Sequence, residues 1–268
     1  MPRFSANISM MFREVDLPDR FDAAARAGFK AVEIQFPYEF DKEMLAERAR
    51  RAGVEVVLIN LTAGDFSKGD RGIGCLPRRV AEFRDAVRPG IEYARALGCR
   101  QMNCLAGCPT GRFDPAKLRE TYISNLRFAA GELERAGMDL LIEPVNSRTF
   151  PGSYLRNSGQ AIAIMDEAKL PNLKLQYDLF HMQIMEGDLA RSLESLLPRI
   201  GHIQFADVPE RHEPGSGEIN FPFLFDWIDG IGYQGWLGAE YIPSAGTEAT
   251  LGWFEQFRAV TRYASAAG

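Results

Sequence analysis

A helical stretch, a glycine and an apolar strand recur along this chain, and that recurrence constrains its fold more than any other feature. Amphipathic runs such as "DKEMLAERARRAG", "RRVAEFRDAVRPGIEYARALG" and "KLRETYISNLRFAAGELERAG" end at Gly53, Gly98 and Gly137, with apolar, β-branched runs close behind. Glycine suits a helix end because it enters the left-handed conformation without a Cβ penalty. Helix and strand alternating in this way build βα units with parallel strands. Strands are predicted at 4–11, 31–36, 54–60, 100–106, 138–143, 173–178, 202–207 and 235–241. Eight units in 268 residues average about 33 each, which is the size of a βα unit.

No linker, low-complexity tract or charge block divides the sequence. The expectation is a single domain over residues 1–268, of α/β class, closed as a (β/α)8 TIM barrel. An open doubly wound sheet would carry a glycine-rich phosphate loop after its first strand, and "ISMMFREVDLP" stands there instead. The glycine-rich "GDRGIGC" at 69–75 follows the third strand and reads as a lid loop.

Composition narrows the function classes. Hydrophobic residues make up 46% and the net charge is -5, so the core is sizeable and nucleic acid is not expected as a bulk electrostatic partner. There is no apolar run of membrane-spanning length and no signal-peptide core near the N-terminus. Cys75, Cys99, Cys104 and Cys108 are too few for a disulfide scaffold, and "CLAGC" lacks a second metal-binding pair. Reduced thiols and a cytoplasmic location are the expectation.

In a barrel of this kind the active site lies at the C-terminal ends of the strands. The fifth predicted strand ends in Glu143 and the sixth in Asp178, while the seventh carries Gln204 and the eighth Glu240. The intervals of 35, 26 and 36 residues are each about one βα unit, so four oxygen-bearing side chains can converge. Three carboxylates together repel one another, and a cation removes that cost. Carboxylate and amide oxygens are hard ligands that suit Mg²⁺ or Mn²⁺. Zn²⁺ ranks lower, because the four include no His or Cys. Pro144 ends the fifth strand by lacking a ladder donor.

The segments "IEPVNSR", "YDLFHMQIMEGD", "HIQFADVPERHEPGSGEIN" and "GAEY" resemble the hydroxypyruvate isomerases of the xylose isomerase-like barrels. "FSANISMMF" and "GFKAVEIQFPY" carry the same resemblance, which runs over residues 3–258. It implies a divalent metal held by Glu143, Asp178, Gln204 and Glu240, with Glu143 and Glu240 doubling as the proton-transferring pair. It also implies a small hydroxy-keto acid as substrate, interconverting hydroxypyruvate and 2-hydroxy-3-oxopropanoate. A 2-oxo-tetronate isomerase is the nearest alternative, and a metal-binding barrel without catalysis is a remote one. The sugar 3-epimerases of the superfamily place His where this chain has Gln204. Its apurinic endonucleases use a histidine-rich cluster, and this chain has three histidines. Barrels of this kind often pair into homo-oligomers, but one chain specifies no interface.

The remaining expectations concern the substrate. His181, three residues after Asp178, is expected to turn back to the mouth and donate to a substrate oxygen. Arg211 and Arg148, on loops after the seventh and fifth strands, are candidate clamps for its carboxylate. Lys68 would close over the site with its loop, and Asn146 is a supporting candidate. Phe36, Tyr38, Phe180 and Trp236 are candidate pocket walls, although core packing is their commoner fate. His202 reads as structural, and His212 as uninformative.

Overall fold

The computed structural model describes residues 2–257; the expected domain limits, 1 and 268, lie outside them. Eight parallel strands follow one another in chain order and close into a barrel. They are β1 (Arg3–Asn7), β2 (Ala31–Ile34), β3 (Glu55–Asn60), β4 (Gln101–Asn103), β5 (Asp139–Ile142), β6 (Leu173–Asp178), β7 (Ile200–Phe205) and β8 (Trp236–Ala239). Closure pairs β1 with β8, Arg3 opposite Trp236 and Ala6 opposite Ala239. Every predicted strand is present, most of them shorter than expected. The first stops at Asn7, whose carbonyl accepts from the N–H groups of Met10 and Met11 and turns the chain.

Helices α1 (Leu17–Ala27), α2 (Lys42–Ala52), α3 (Val80–Leu97), α4 (Pro115–Arg135), α5 (Ser158–Ala168), α6 (Leu179–Met185), α7 (Leu189–Leu196) and α8 (Phe221–Gly230) surround the strands. Several start where a short polar side chain satisfies an orphan N–H: Asp41 accepts from Met44 N and Asn157 from Gln160 N, both at 2.8 Å. Gly53, Gly98 and Gly137 sit at φ +68°, +69° and +71°, as their place after the helical runs predicts. No helix among the described residues is long and apolar enough to cross a membrane.

Strand periodicity divides the molecule into two environments. One face of each strand meets the helices and is apolar. Phe4 and Phe205 lie edge-on to Phe225 and Trp253 at centroid separations of 4.9 to 5.2 Å, each ring burying apolar surface that contributes about 2–3 kcal/mol. The other face points into the barrel and is largely polar. Ser5, Asn7, Glu33, Asn103, Gln176, Asp178, His202 and Gln204 are all buried. Glu33 is the hub of this interior. It accepts from Ser5 Oγ at 2.8 Å, His202 Nε2 at 2.7 Å and Gln204 Nε2 at 2.8 Å. Burial pushes its pKa up, but the His202 ring and these hydrogen bonds prevail and hold the carboxyl below its usual range. His202 is thus structural.

The three buried cysteines make no disulfide, and burial pushes the thiols of Cys75 and Cys99 up to about 12, which leaves them unreactive.

The Glu33 carboxylate fits because β8 has no side chain at 238. A Cβ there would lie 1.9 Å from Glu33 Oε1. The substitution Gly238→Ala is expected to cost about 1–3 kcal/mol through overpacking. It would appear as a lower urea midpoint at unchanged m-value; an unchanged midpoint would refute the packing argument.

Candidate active site

The strand ends deliver their carboxylates to one mouth. Glu143 follows β5, is buried, and accepts from Asn103 Nδ2 at 2.7 Å. Asp178 is both the last residue of β6 and the N-cap of α6, where its Oδ1 accepts from Phe180 N at 2.8 Å. Its Oδ2 faces His181 Nε2 at 3.5 Å and Arg211 Nη2 at 3.4 Å. Glu240 follows β8: Oε1 accepts from Asn7 at 2.9 Å and Gln35 at 2.7 Å, and Oε2 from Arg211 Nη2 at 2.5 Å, which leaves a lone pair on Oε2. Donor atoms of Glu143, Asp178 and His181 lie within 4.8 Å of one another, a spacing that can hold a metal ion. Gln204 is turned into the barrel interior, its Oε1 accepting from Gln176 at 2.5 Å and its Nε2 donating to Glu33.

Burial and mutual repulsion govern the ionisation of these groups. Burial, with the charges of Glu240 and Asp178, raises Glu143 well above the usual carboxylate value, against Arg211 and the Asn103 amide. Burial, with Asp178 and Glu33, pushes Glu240 up to about 7 despite Arg211 and the Gln35 amide. Asp178 is raised by burial too, although Arg211 and the first amides of α6 oppose it. Arg211 is the one cation in contact with the cluster among the described residues, and the three carboxylates hold its guanidinium protonated against the effect of burial.

His181 carries a defined tautomer. The Asn146 amide oxygen accepts from Arg148 N at 3.0 Å and Thr149 N at 2.8 Å, so its NH₂ must face the ring. That group lies 2.6 Å from His181 Nδ1. Nδ1 is therefore the acceptor, and the proton sits on Nε2, facing Glu143 and Asp178. Burial, then Arg211, depress the pKa well below the usual value and keep the ring neutral.

Arg211 reaches the cluster because the loop after β7 is tied at its root. The Asp207 carboxylate accepts from the backbone N–H groups of Val208, Gly215, Gly217 and Ile219 at 2.9–3.0 Å. Arg211 itself holds φ +59°, a left-handed conformation that costs a non-glycine residue about 1–2 kcal/mol. Its amide bonds Asp207 O at 3.0 Å, its carbonyl accepts from Ile242 N at 2.8 Å, and its guanidinium lies over Phe180 at 5.0 Å.

A cavity opens above the cluster, lined by Glu143 and Glu240 at the strand ends, by His181 from α6, by Arg211 from the loop after β7, and by Phe36, Phe66, Arg71 and Phe150 from other loops. Two expected substrate contacts do not arrive. Lys68 is exposed and pairs with Asp65 at 2.9 Å. Arg148 is exposed on its loop and is not among the lining residues. Nor is Trp236 a pocket wall: it begins β8, at the opposite end of the barrel, with Arg3 over its ring at 4.6 Å. Tyr38 lines an adjoining groove and donates to Asn60 O at 2.6 Å. Asn7, Gln35, Asn103, Asp207 and Arg71 are the contributors that sequence reading missed. Asn7, Gln35 and Asn103 end or follow the early strands, so the polar-strand-end criterion would have found them had it been applied beyond the last four strands.

The profile of the xylose isomerase-like TIM barrel family matches residues 21–257. The hydroxypyruvate isomerase of Escherichia coli K12 is 46% identical over 258 residues, covering 96% of this chain and 100% of that protein. The 2-oxo-tetronate isomerase of Cupriavidus necator is likewise 46% identical, over 257 residues, covering 96% and 99%. A solved structure from Brucella melitensis, named as a family 2 AP endonuclease, superposes with a TM-score of 0.94 at 42% identity, covering 96% of this chain and 99% of that one.

The carboxylate cluster makes stability depend on pH. The folded-state pKa of Glu240, about 7, lies above the ordinary glutamate value of 4.5, so the folded state binds more protons between them. Its contribution is full below the unfolded pKa and is lost as pH rises through the folded one. Glu143 and Asp178 act in the same direction. In chelator, the melting temperature is expected to fall by about 5 °C between roughly pH 5 and pH 8. The fall should be smaller in Glu240→Gln, and Mg²⁺ or Mn²⁺ should reverse it in the wild-type protein. A flat profile that ignores metal would contradict the cluster's electrostatics.

Proposed function

The chain belongs to the xylose isomerase-like TIM barrel family and is an isomerase; on that premise we propose that it interconverts hydroxypyruvate and 2-hydroxy-3-oxopropanoate. The observation that carries this reading is the pair of buried glutamates, Glu143 from β5 and Glu240 from β8, lining one cavity with pKa values raised by their surroundings. The reaction removes one proton from C3 and one from the oxygen of the C3 hydroxyl, and delivers one proton to C2 and one to the former carbonyl oxygen. Between the two lies an enediolate. A carboxylate whose pKa lies near the working pH both takes and returns a proton efficiently. One glutamate removes the C3 proton and the other supplies C2.

The neutral His181, with its proton on Nε2, donates to a substrate oxygen as that oxygen gains negative charge. Asn146 fixes the ring in the donating tautomer. Arg211, with its planar fork beside Glu240, orients the oxygens of the acid. The loop aromatics Phe36, Phe66 and Phe150 narrow the opening and keep water from the carbanionic carbon.

The residues fit a divalent cation. Three buried carboxylates face one guanidinium, and the excess negative charge is what Mg²⁺ or Mn²⁺ would neutralise. Two buried amide oxygens of the neighbourhood, Asn103 Oδ1 and Gln176 Oε1, also have no hydrogen-bond donor. Glu143, Asp178, Glu240 and Gln204 would hold the ion. Gln204 keeps a second lone pair on the oxygen that accepts from Gln176. The ion would act as a Lewis acid on the substrate's neighbouring oxygens.

A four-carbon 2-oxo-tetronate is the second reading, favoured by a cavity that opens into a groove sharing Gln35, Phe36 and Phe66 with it. Proton NMR in D₂O, with metal-loaded and chelated protein, tests both. Metal-dependent loss of the C3 signal of hydroxypyruvate with growth of the aldehyde product is expected; turnover of four-carbon acids alone would favour the second reading. Replacing Glu240 by Gln should lower turnover by roughly 100-fold or more while the circular dichroism spectrum is kept. Near-normal turnover would remove Glu240 from the mechanism.

A further inference from the structure

The proposed substrate is an anion entering a mouth that already holds three carboxylates. Arg211 answers part of that charge, but two of its three nitrogens are committed, which leaves Nη1 and no free two-nitrogen fork: Nη2 contacts Asp178 and Glu240, and Nε donates to the Glu240 carbonyl at 3.3 Å. The cavity lining contains one other cation, Arg71. It belongs to the loop between β3 and α3, whereas Arg211 follows β7, so the two cations reach the cavity from different loops.

Of the other cations of the β3–α3 loop, Arg78 is exposed and outside the cavity lining, and the remaining two are neutralised. Lys68 pairs with Asp65, and Arg79 pairs with Asp70 at 2.6 Å and with Glu82 at 2.6 Å. Arg71 makes no ion pair among the described residues. Its Nη1 donates to the Asp70 carbonyl at 2.6 Å and to the Phe66 carbonyl at 3.3 Å, and its guanidinium lies 5.0 Å over the Phe66 ring. These contacts orient the fork and leave Nε and Nη2 for a ligand. Phe66 in turn rests on Phe36 at 4.9 Å, so the arginine and the aromatic wall form one unit.

The backbone beside Arg71 is pinned. Gly72 bridges to Ala106, its N–H bonds Ala63 O at 3.0 Å, and Cys75 N bonds Ala106 O at 2.8 Å. At φ +107°, Gly72 passes so close to the β4 loop that a Cβ would lie 2.6 Å from Leu105 O. Only glycine permits this crossing, and the crossing fixes where the next side chain starts.

We propose that Arg71 binds the carboxylate of the substrate and thereby makes this site select keto acids over neutral keto sugars. The assignment rests on the keto-acid reading above and adds the group that enforces it. A guanidinium meets a carboxylate through two parallel charged hydrogen bonds. Its affinity contribution appears in binding and disappears for a ligand whose carboxylate is replaced by a hydroxymethyl group.

The test pairs kinetics with equilibrium binding on the metal-loaded full chain. D-glycerate is the unreactive acid probe and glycerol its neutral counterpart; hydroxypyruvate and dihydroxyacetone are the corresponding substrates. In Arg71→Ala, KM for hydroxypyruvate and Kd for D-glycerate should rise roughly 10- to 100-fold, with kcat within about threefold. Arg71→Lys should recover part of the loss, and the selectivity for acid over neutral ligand should fall in step. Arg78→Ala, an exposed change nearby, should match the wild type. Wild-type D-glycerate affinity in Arg71→Ala, no D-glycerate binding by the wild type, or a fall in kcat alone would overturn the proposal. If the wild type binds D-glycerate through Arg71 but isomerises no keto acid, the isomerase reading fails and the anion site stands. If it isomerises hydroxypyruvate with KM indifferent to Arg71, the reverse holds.

Discussion

Three carboxylates buried at one barrel mouth, with a single guanidinium in contact, set the constraint that the surrounding structure meets. Two like charges about 4 Å apart repel by roughly 4 kcal/mol at an effective dielectric of about 20. Unrelieved, such a cluster would unfold its own support or stay protonated. Asn7 and Gln35 donate to Glu240, Asn103 donates to Glu143, and the first amide of α6 to reach back donates to Asp178. Arg211 bridges Asp178 and Glu240. The remaining excess of negative charge raises the proton affinity of its glutamates.

A contrast within the barrel sharpens the point. Glu33 is as deeply buried as Glu143, yet its pKa is lowered whereas that of Glu143 is raised. Burial raises both. Glu33 is surrounded by donors, among them His202, Gln204 and Ser5. Glu143 has other carboxylates for neighbours and one amide donor. The interior carboxylate is settled into a satisfied network that organises the strands, and those at the mouth are left electrostatically unsettled. Buried acids with lowered and raised pKa thus lie within one barrel, separated by their neighbours rather than by their burial.

The loops were less legible than the strands. The sequence points to a lid after the third strand, and that loop does carry Phe66 and Arg71 to the cavity. It does not tell which of its cations turns inward. Lys68 pairs with Asp65 three residues before it, whereas Arg71 follows the pinned approach of Gly72 to the β4 loop. Arg148 and Arg211 show the same ambiguity. Each lies on a loop of the C-terminal face, but the Asp207 anchor and the backbone bonds of Arg211 direct only the latter into the cluster. Direction on a loop depends on contacts distant in sequence, and composition carries no record of them.

Residue order alone determined the barrel, since hydrophobic period and helix-ending glycines are local properties that repeat about every 33 residues. It also determined that Glu143, Asp178 and Glu240 would end up near one another, because each lies at the end of a parallel strand and parallel strands share a direction. Tertiary structure decided everything set by facing and register: that Glu33 organises the interior through His202 and Gln204, that the Gln204 amide turns into that network, and that Gly238 makes room for the carboxylate. It also decided which arginines reach the cavity. A strand's residues alternate between two faces regardless of what they will meet, and what they meet is supplied by strands distant in the chain, as between Glu33 and Gln204, 171 residues apart.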